Sequence, residues 1–180
     1  DKVVGLLVPS ANAKASSDDV YAVINELYTA NLDGDKVDRI VGFADGKAID
    51  KKADGQYLAG KFVAPSTSTD PTTFANKVNL YKIEMDADGI ITNISNPIAT
   101  SGKIEVVSGK ALTAADGRNS VTAGSDIYAL AKEVIVYEVN SDGDYKVYTG
   151  AFKAKDVVVL YELDDDADGY DVVVLNRANR

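Results

Sequence analysis

Apolar positions along this chain of 180 residues fall in short runs rich in Val, Ile and Tyr. The runs are broken by Asp-Gly, Ala-Asp-Gly or Pro/Ser/Thr segments. Short β-branched and aromatic runs between such breaks read as strands. The pattern predicts strands at Lys2–Val8, Val20–Thr29, Val37–Phe43, Gln56–Val63, Lys77–Met85, Ile90–Ile94, Lys103–Val107, Asp126–Leu130, Glu133–Val139, Tyr145–Tyr148, Val157–Leu163 and Tyr170–Leu175. Turns fall at Leu32–Asp35, Asp86–Gly89, Ser141–Asp144 and Asp166–Gly169. Gly there supplies a positive φ, and Asp and Asn bond their own backbone.

Two stretches read differently. From Ser16 to Tyr28 a helix capped by Ser17 or Asp18 competes with a strand. The β-branched and aromatic content favours the strand. Near Asp70 a short helix is expected, with Asp70 as cap and Pro71 in its first turn. The last two runs, VVVLYEL (Val157–Leu163) and YDVVVLN (Tyr170–Asn176), are apolar at successive positions. A half-exposed strand alternates, so these two are expected to be covered on both sides.

The predicted class is all-β: two small related β-barrel or sandwich units built from short antiparallel strands. The division rests on a repeat. LYKIEMDADG (Leu80–Gly89) and LYELDDDADG (Leu160–Gly169) share their first two and last four residues. One unit is expected over residues 13–97 and the other over 98–180. A second echo links LLVPSAN (Leu6–Asn12) to VVLNRAN (Val173–Asn179). Residues 1–12 then read as a strand belonging to a preceding repeat, as in a piece cut from a tandem array. The start at Asp1, without Met, fits the same expectation of a longer parent.

Composition narrows the function classes. The formal net charge is −9, which repels phosphate backbones and makes nucleic acid a poor partner. Hydrophobic residues at 46% allow a packed core. Cys, His and Trp are absent and there is one Met. This removes Cys/His zinc sites and every Ser-His-Asp or Cys-His catalytic unit. No run is long enough to span a membrane as a helix.

The acidic turn is the one local pattern with chemical promise. Asp164, Asp166 and Asp168 alternate before Gly169, as at the opening of a calcium loop. The pattern then stops: Leu175 stands where such a loop needs a bidentate Glu, and the other copy offers only Asp86 and Asp88. A calcium site at Asp164, Asp166 and Asp168 and a plain solvated turn both remain open. No other cofactor is expected. No carboxylate pair stands out for glycoside hydrolysis, and GKIEVVSGK lacks the glycine spacing of a phosphate loop. The ten Tyr residues offer either a sugar-stacking face or ordinary strand packing. Among them, Tyr21, Tyr28, Tyr81, Tyr137, Tyr145, Tyr148 and Tyr161 fall in predicted strands.

The segment VIVYEVNSDGDYKVYTGAFKAKDVVVLYELDDDADGYDVVVLNR (Val134–Arg177) resembles the repeated β-modules of large surface proteins of clostridia and related Gram-positive bacteria, proteins that carry S-layer homology domains. Val20–Asn96 is similar to one module type and Lys103–Arg177 to its partner. The low sulfur content and the excess of Lys over Arg are similar to S-layer proteins as well. The resemblance implies a non-catalytic spacer or lattice module, extracellular on the cell surface or in the cell wall. Its partners would be neighbouring repeats or other surface-protein copies. The anchoring domain itself has no counterpart in the chain. A module binding cell-wall or environmental glycans, or a calcium-dependent adhesin, is the alternative.

Overall fold

A computed structural model describes residues 20–53, 64–95, 104–163 and 168–177. Among them strand predominates, and helix is confined to one short element. The predicted strand at Gln56–Val63 and the segment before Val20 lie outside these residues, as does the 97/98 boundary expected between the units.

The first unit is a closed barrel of five strands: β1 (Val20–Leu32), β2 (Asp35–Ala44), β3 (Lys47–Ala53), β4 (Tyr81–Met85) and β5 (Ile91–Ser95), in the order β1-β2-β3-β5-β4. Closure depends on β1, whose residues Val20–Ala22 pair with β4 while Ala22–Leu32 pairs with β2. One strand serves two neighbours because it bends at a bulge between Ile24 and Glu26. At that bend the β2 backbone passes so close that a Cβ on Gly42 would fall 2.1 Å from the Val23 carbonyl oxygen. Only glycine fits there. Ala22, Ile24, Ile40, Tyr81, Ile83, Ile91 and Ile94 fill the interior.

The helix expected near Asp70 is α1 (Pro71–Ala75), a turn and a half between β3 and β4. The Asp70 carboxylate accepts the Thr73 amide at 2.8 Å and the Thr73 hydroxyl at 2.7 Å. These bonds hold its pKa below the ordinary value.

The second unit is a curled sheet of seven strands: β6 (Glu105–Ala111), β7 (Ala114–Asp116), β8 (Ser120–Ala123), β9 (Asp126–Val139), β10 (Tyr145–Val147), β11 (Val157–Glu162) and β12 (Tyr170–Asn176). Its order is β6-β11-β12-β9-β8-β7, with β10 also on β9. The two end strands, β6 and β7, are separated along the chain only by Leu112 and Thr113. The Leu112 amide bonds Asp156 and the Thr113 amide bonds Thr122, both at 2.8 Å. The curled sheet is a half-barrel, the second and open barrel of the molecule, whose two end strands are joined by the chain itself rather than closed by a strand.

If β6 and β7 are taken together as a first strand, both units follow one connectivity. The first strand pairs with the second and fourth, the second with the third, and the fourth with the fifth, all antiparallel. The third and fifth pair in parallel: β3 with β5, and β9 with β12. The units are built mainly of short antiparallel strands, as expected, and these are their two parallel pairs. They arise because a segment crosses over between the third and fourth strands, α1 in one unit and β10 in the other.

Three strands lack a sequence counterpart. β3 is half Lys and Asp, and β7 and β8 are short and built largely of Ala, Ser and Thr. By contrast, Asp126–Leu130 and Glu133–Val139 run together as the single strand β9. β11 and β12 are buried along nearly their whole length, as their doubly apolar pattern required.

Candidate functional site

The acidic turn at Asp86 is built to close a hairpin. One carboxylate oxygen, Oδ1, accepts the amides of Asp88 at 3.0 Å and Ile90 at 2.9 Å. The Asp86 amide bonds the Ile90 carbonyl and the Gly89 amide bonds the Asp86 carbonyl, both at 3.0 Å. Gly89 has φ 75°. The β9–β10 turn repeats this geometry with an amide in place of the acid. Asn140 Oδ1 accepts the amides of Asp142 and Asp144, both at 2.9 Å, and Gly143 has φ 87°. A neutral side chain does the same work, so the turn requires an oxygen acceptor and no charge. The Lys51 ammonium also approaches this turn, within 3.5 Å of where a Cβ on Gly89 would sit. It places positive charge where a cation site would need none.

Of the calcium candidates, Asp168 is exposed just before Gly169 and β12, while Asp164 and Asp166 lie outside the described residues. Among the described residues no group of three or more Asp, Glu, His or Cys converges for a metal.

The tyrosines form no outward face among the described residues. Tyr81, Tyr137, Tyr145, Tyr161 and Tyr170 are buried, and Tyr21, Tyr28, Tyr128 and Tyr148 are half-buried. Three of them line the seam between the barrels. From the second unit, the Tyr137 hydroxyl accepts the Gly46 amide at 3.0 Å and the Tyr145 hydroxyl accepts the Asn79 amide at 3.3 Å. The Tyr161 hydroxyl bonds the Leu80 backbone. Each therefore engages backbone of the first unit. Burial raises all three pKa values, that of Tyr137 to about 12. Tyr137 also packs on Phe43, with ring centroids 6.2 Å apart.

Asn25 completes the seam from the other side. It is the extra residue of the β1 bulge. Its side chain accepts the Tyr145 amide at 2.7 Å and donates to the Tyr145 carbonyl at 3.1 Å. This paired contact imitates a neighbouring strand. Sequence reading missed Asn25; the only available signal was a polar residue interrupting an apolar run.

At the far end, Arg118 donates to the carbonyls of Tyr148 at 3.2 Å and Val134 at 3.0 Å. Arg177 pairs with Glu138 at 2.7 Å and lies 5.4 Å above the Tyr148 ring. These cations are used to pin the segment between β10 and β11.

No match was found to a protein-family model, a curated protein or a solved structure. No described helix is long and apolar enough to cross a membrane.

Proposed function

We propose that the chain is a structural module, a spacer or lattice component of a bacterial cell-surface protein, without catalytic activity. The observation that carries this reading is the use of the tyrosines. Three of the nine described tyrosines, the residues best suited to stack on a sugar, are consumed in the seam, hydrogen-bonded to backbone across it, and two more are buried elsewhere. The acidic turn at Asp86 is likewise satisfied by its own amides. A shared strand connectivity in the two units supports reading them as related sub-modules of an array. The resemblance to clostridial surface modules supports the cell-surface assignment, with neighbouring repeats or other copies as partners. The alternative is a glycan-binding or calcium-dependent adhesin module, with Asp164, Asp166 and Asp168 as the cation ligands.

Two measurements test this. Antibody against the chain should label intact cells of the organism that makes it; labelling only after lysis overturns the surface assignment. A glycan array probed with the whole chain, with and without millimolar calcium, should show no saturable binding. Saturable binding replaces the spacer with the adhesin.

A further inference from the structure

The two barrels do not contribute equally to their contact. On the outer face of β11 and β12, Val157, Val159, Tyr161, Val172 and Val174 are all buried. They form one apolar cluster with Phe74, Val78 and Leu80, which come from the segment joining β3 to β4 in the first barrel, and with Val23 of β1, against which Tyr21 and Phe43 also pack. The opposite faces of the same two strands, through Val158, Leu160, Val173 and Leu175, fill the second barrel's own interior. This pair of strands therefore has two apolar faces and needs a layer on each.

The corresponding strands of the first barrel differ. β4 and β5 turn Tyr81, Ile83, Ile91 and Ile94 inward. The register pairs Lys82 with Ser95 and Glu84 with Asn93, all exposed or half-exposed. Among the described residues their outer face is polar. Every member of the first barrel's interior cluster comes from the first barrel.

The fit of the donated layer is close. A Cβ on Gly109 of β6 would fall 2.4 Å from the Pro71 carbonyl oxygen of α1. The fully buried Asn176 of β12 donates its amide to the Ser68 carbonyl.

We propose that residues 65–80 are an outer layer supplied by the first barrel to the second, and that dependence runs one way. The second barrel holds its native sheet only while this layer is docked; the first fills its interior alone and shares only the outer side chains of Val23, Tyr21 and Phe43 with the seam. Because the equivalent face of the first barrel is polar, the packing ends after one step. The pair is then the smallest unit that any array of this chain can repeat, with the first barrel as its cap. This inference stands apart from the surface role proposed above.

Amide hydrogen exchange on the whole chain tests it. Phe74→Ala should raise exchange in β11 and β12 by about a hundred- to a thousandfold, the factor that a buried phenylalanine truncation carries. These strands lie more than eighty residues from the substitution. The β2–β3 hairpin should keep its protection. Should Phe74→Ala fail to fold, Val78→Ala gives the same pattern at smaller amplitude. Unchanged exchange in β11 and β12 overturns the proposal. So does equal loss in β2–β3, which would make the dependence mutual.

Discussion

Asn25 shows how one residue can carry an interface. A bulge adds a residue that pairs with nothing in its own sheet, and in β1 that residue is an amide able to donate and accept at once. It satisfies both backbone groups of Tyr145. Asn25→Ala leaves that amide and carbonyl without their partner, and each orphaned group costs about 1–3 kcal/mol. We expect a loss of about 2–4 kcal/mol, read as a lower urea midpoint. A change under about 0.5 kcal/mol would assign the contact to an unimportant surface pair. The matching Leu-Tyr letters teach a related lesson. Leu80 faces the seam and Tyr81 the first barrel's interior, whereas Leu160 faces the second interior and Tyr161 the seam. Side chains alternate along a strand, so a phase difference of one residue exchanges the two faces. The letters agree; the environments are exchanged.

At the scale of elements, the hairpins are fixed by turn chemistry. Asp86 and Asn140 perform one task with different side chains, so charge is dispensable in it. Asp86→Asn should leave stability within about 0.5 kcal/mol, while Asp86→Ala should cost about 1–2 kcal/mol through two lost acceptor bonds. Thermal melting of both variants checks this, and equal losses would mean that the carboxylate charge matters. β3 shows an element that apolar patterning misses. Ile49 and Ala53 face the barrel interior, but Lys51 shares their face and Ala48 shares the other with Asp50 and Lys52, so no apolar alternation marks the strand. The Asp-Gly pair at Asp45–Gly46 was its available signal, a two-residue turn of the kind that joins hairpin strands.

At the scale of the molecule, the seam is sensitive to alkali. Burial favours the neutral phenol, so a tyrosine with a raised pKa stabilises the fold fully below its ordinary value, about 10. That contribution is lost as pH rises towards the folded value. For Tyr137, held at about 12, the window is pH 10 to 12 and the loss approaches about 3 kcal/mol. Tyr145 and Tyr161 add losses of the same sign. Urea midpoints measured from pH 8 to 11 should fall above pH 10. Tyr137→Phe should start lower, having lost the Gly46 bond, and fall less steeply. An identical slope in that variant would clear Tyr137 of the effect.

The sequence by itself determined the class and most of the elements. β-branched runs, Asp-Gly turns and the Asp70-Pro71 helix start are local signals, and each is read within a few residues of its cause. The doubly apolar runs of β11 and β12 also announced that something must cover both faces. What covers them was settled only in three dimensions. The covering residues, Phe74, Val78 and Leu80, sit about eighty or more positions earlier, in a stretch whose local pattern marks a short helix and the start of a strand but not what they cover. Barrel closure was equally hidden, since it depends on one bent strand serving two neighbours and on parallel pairs between strands far apart in the chain. Local chemistry writes the strands. Which buried face meets which depends on packing between distant segments, and no short window of residues contains it.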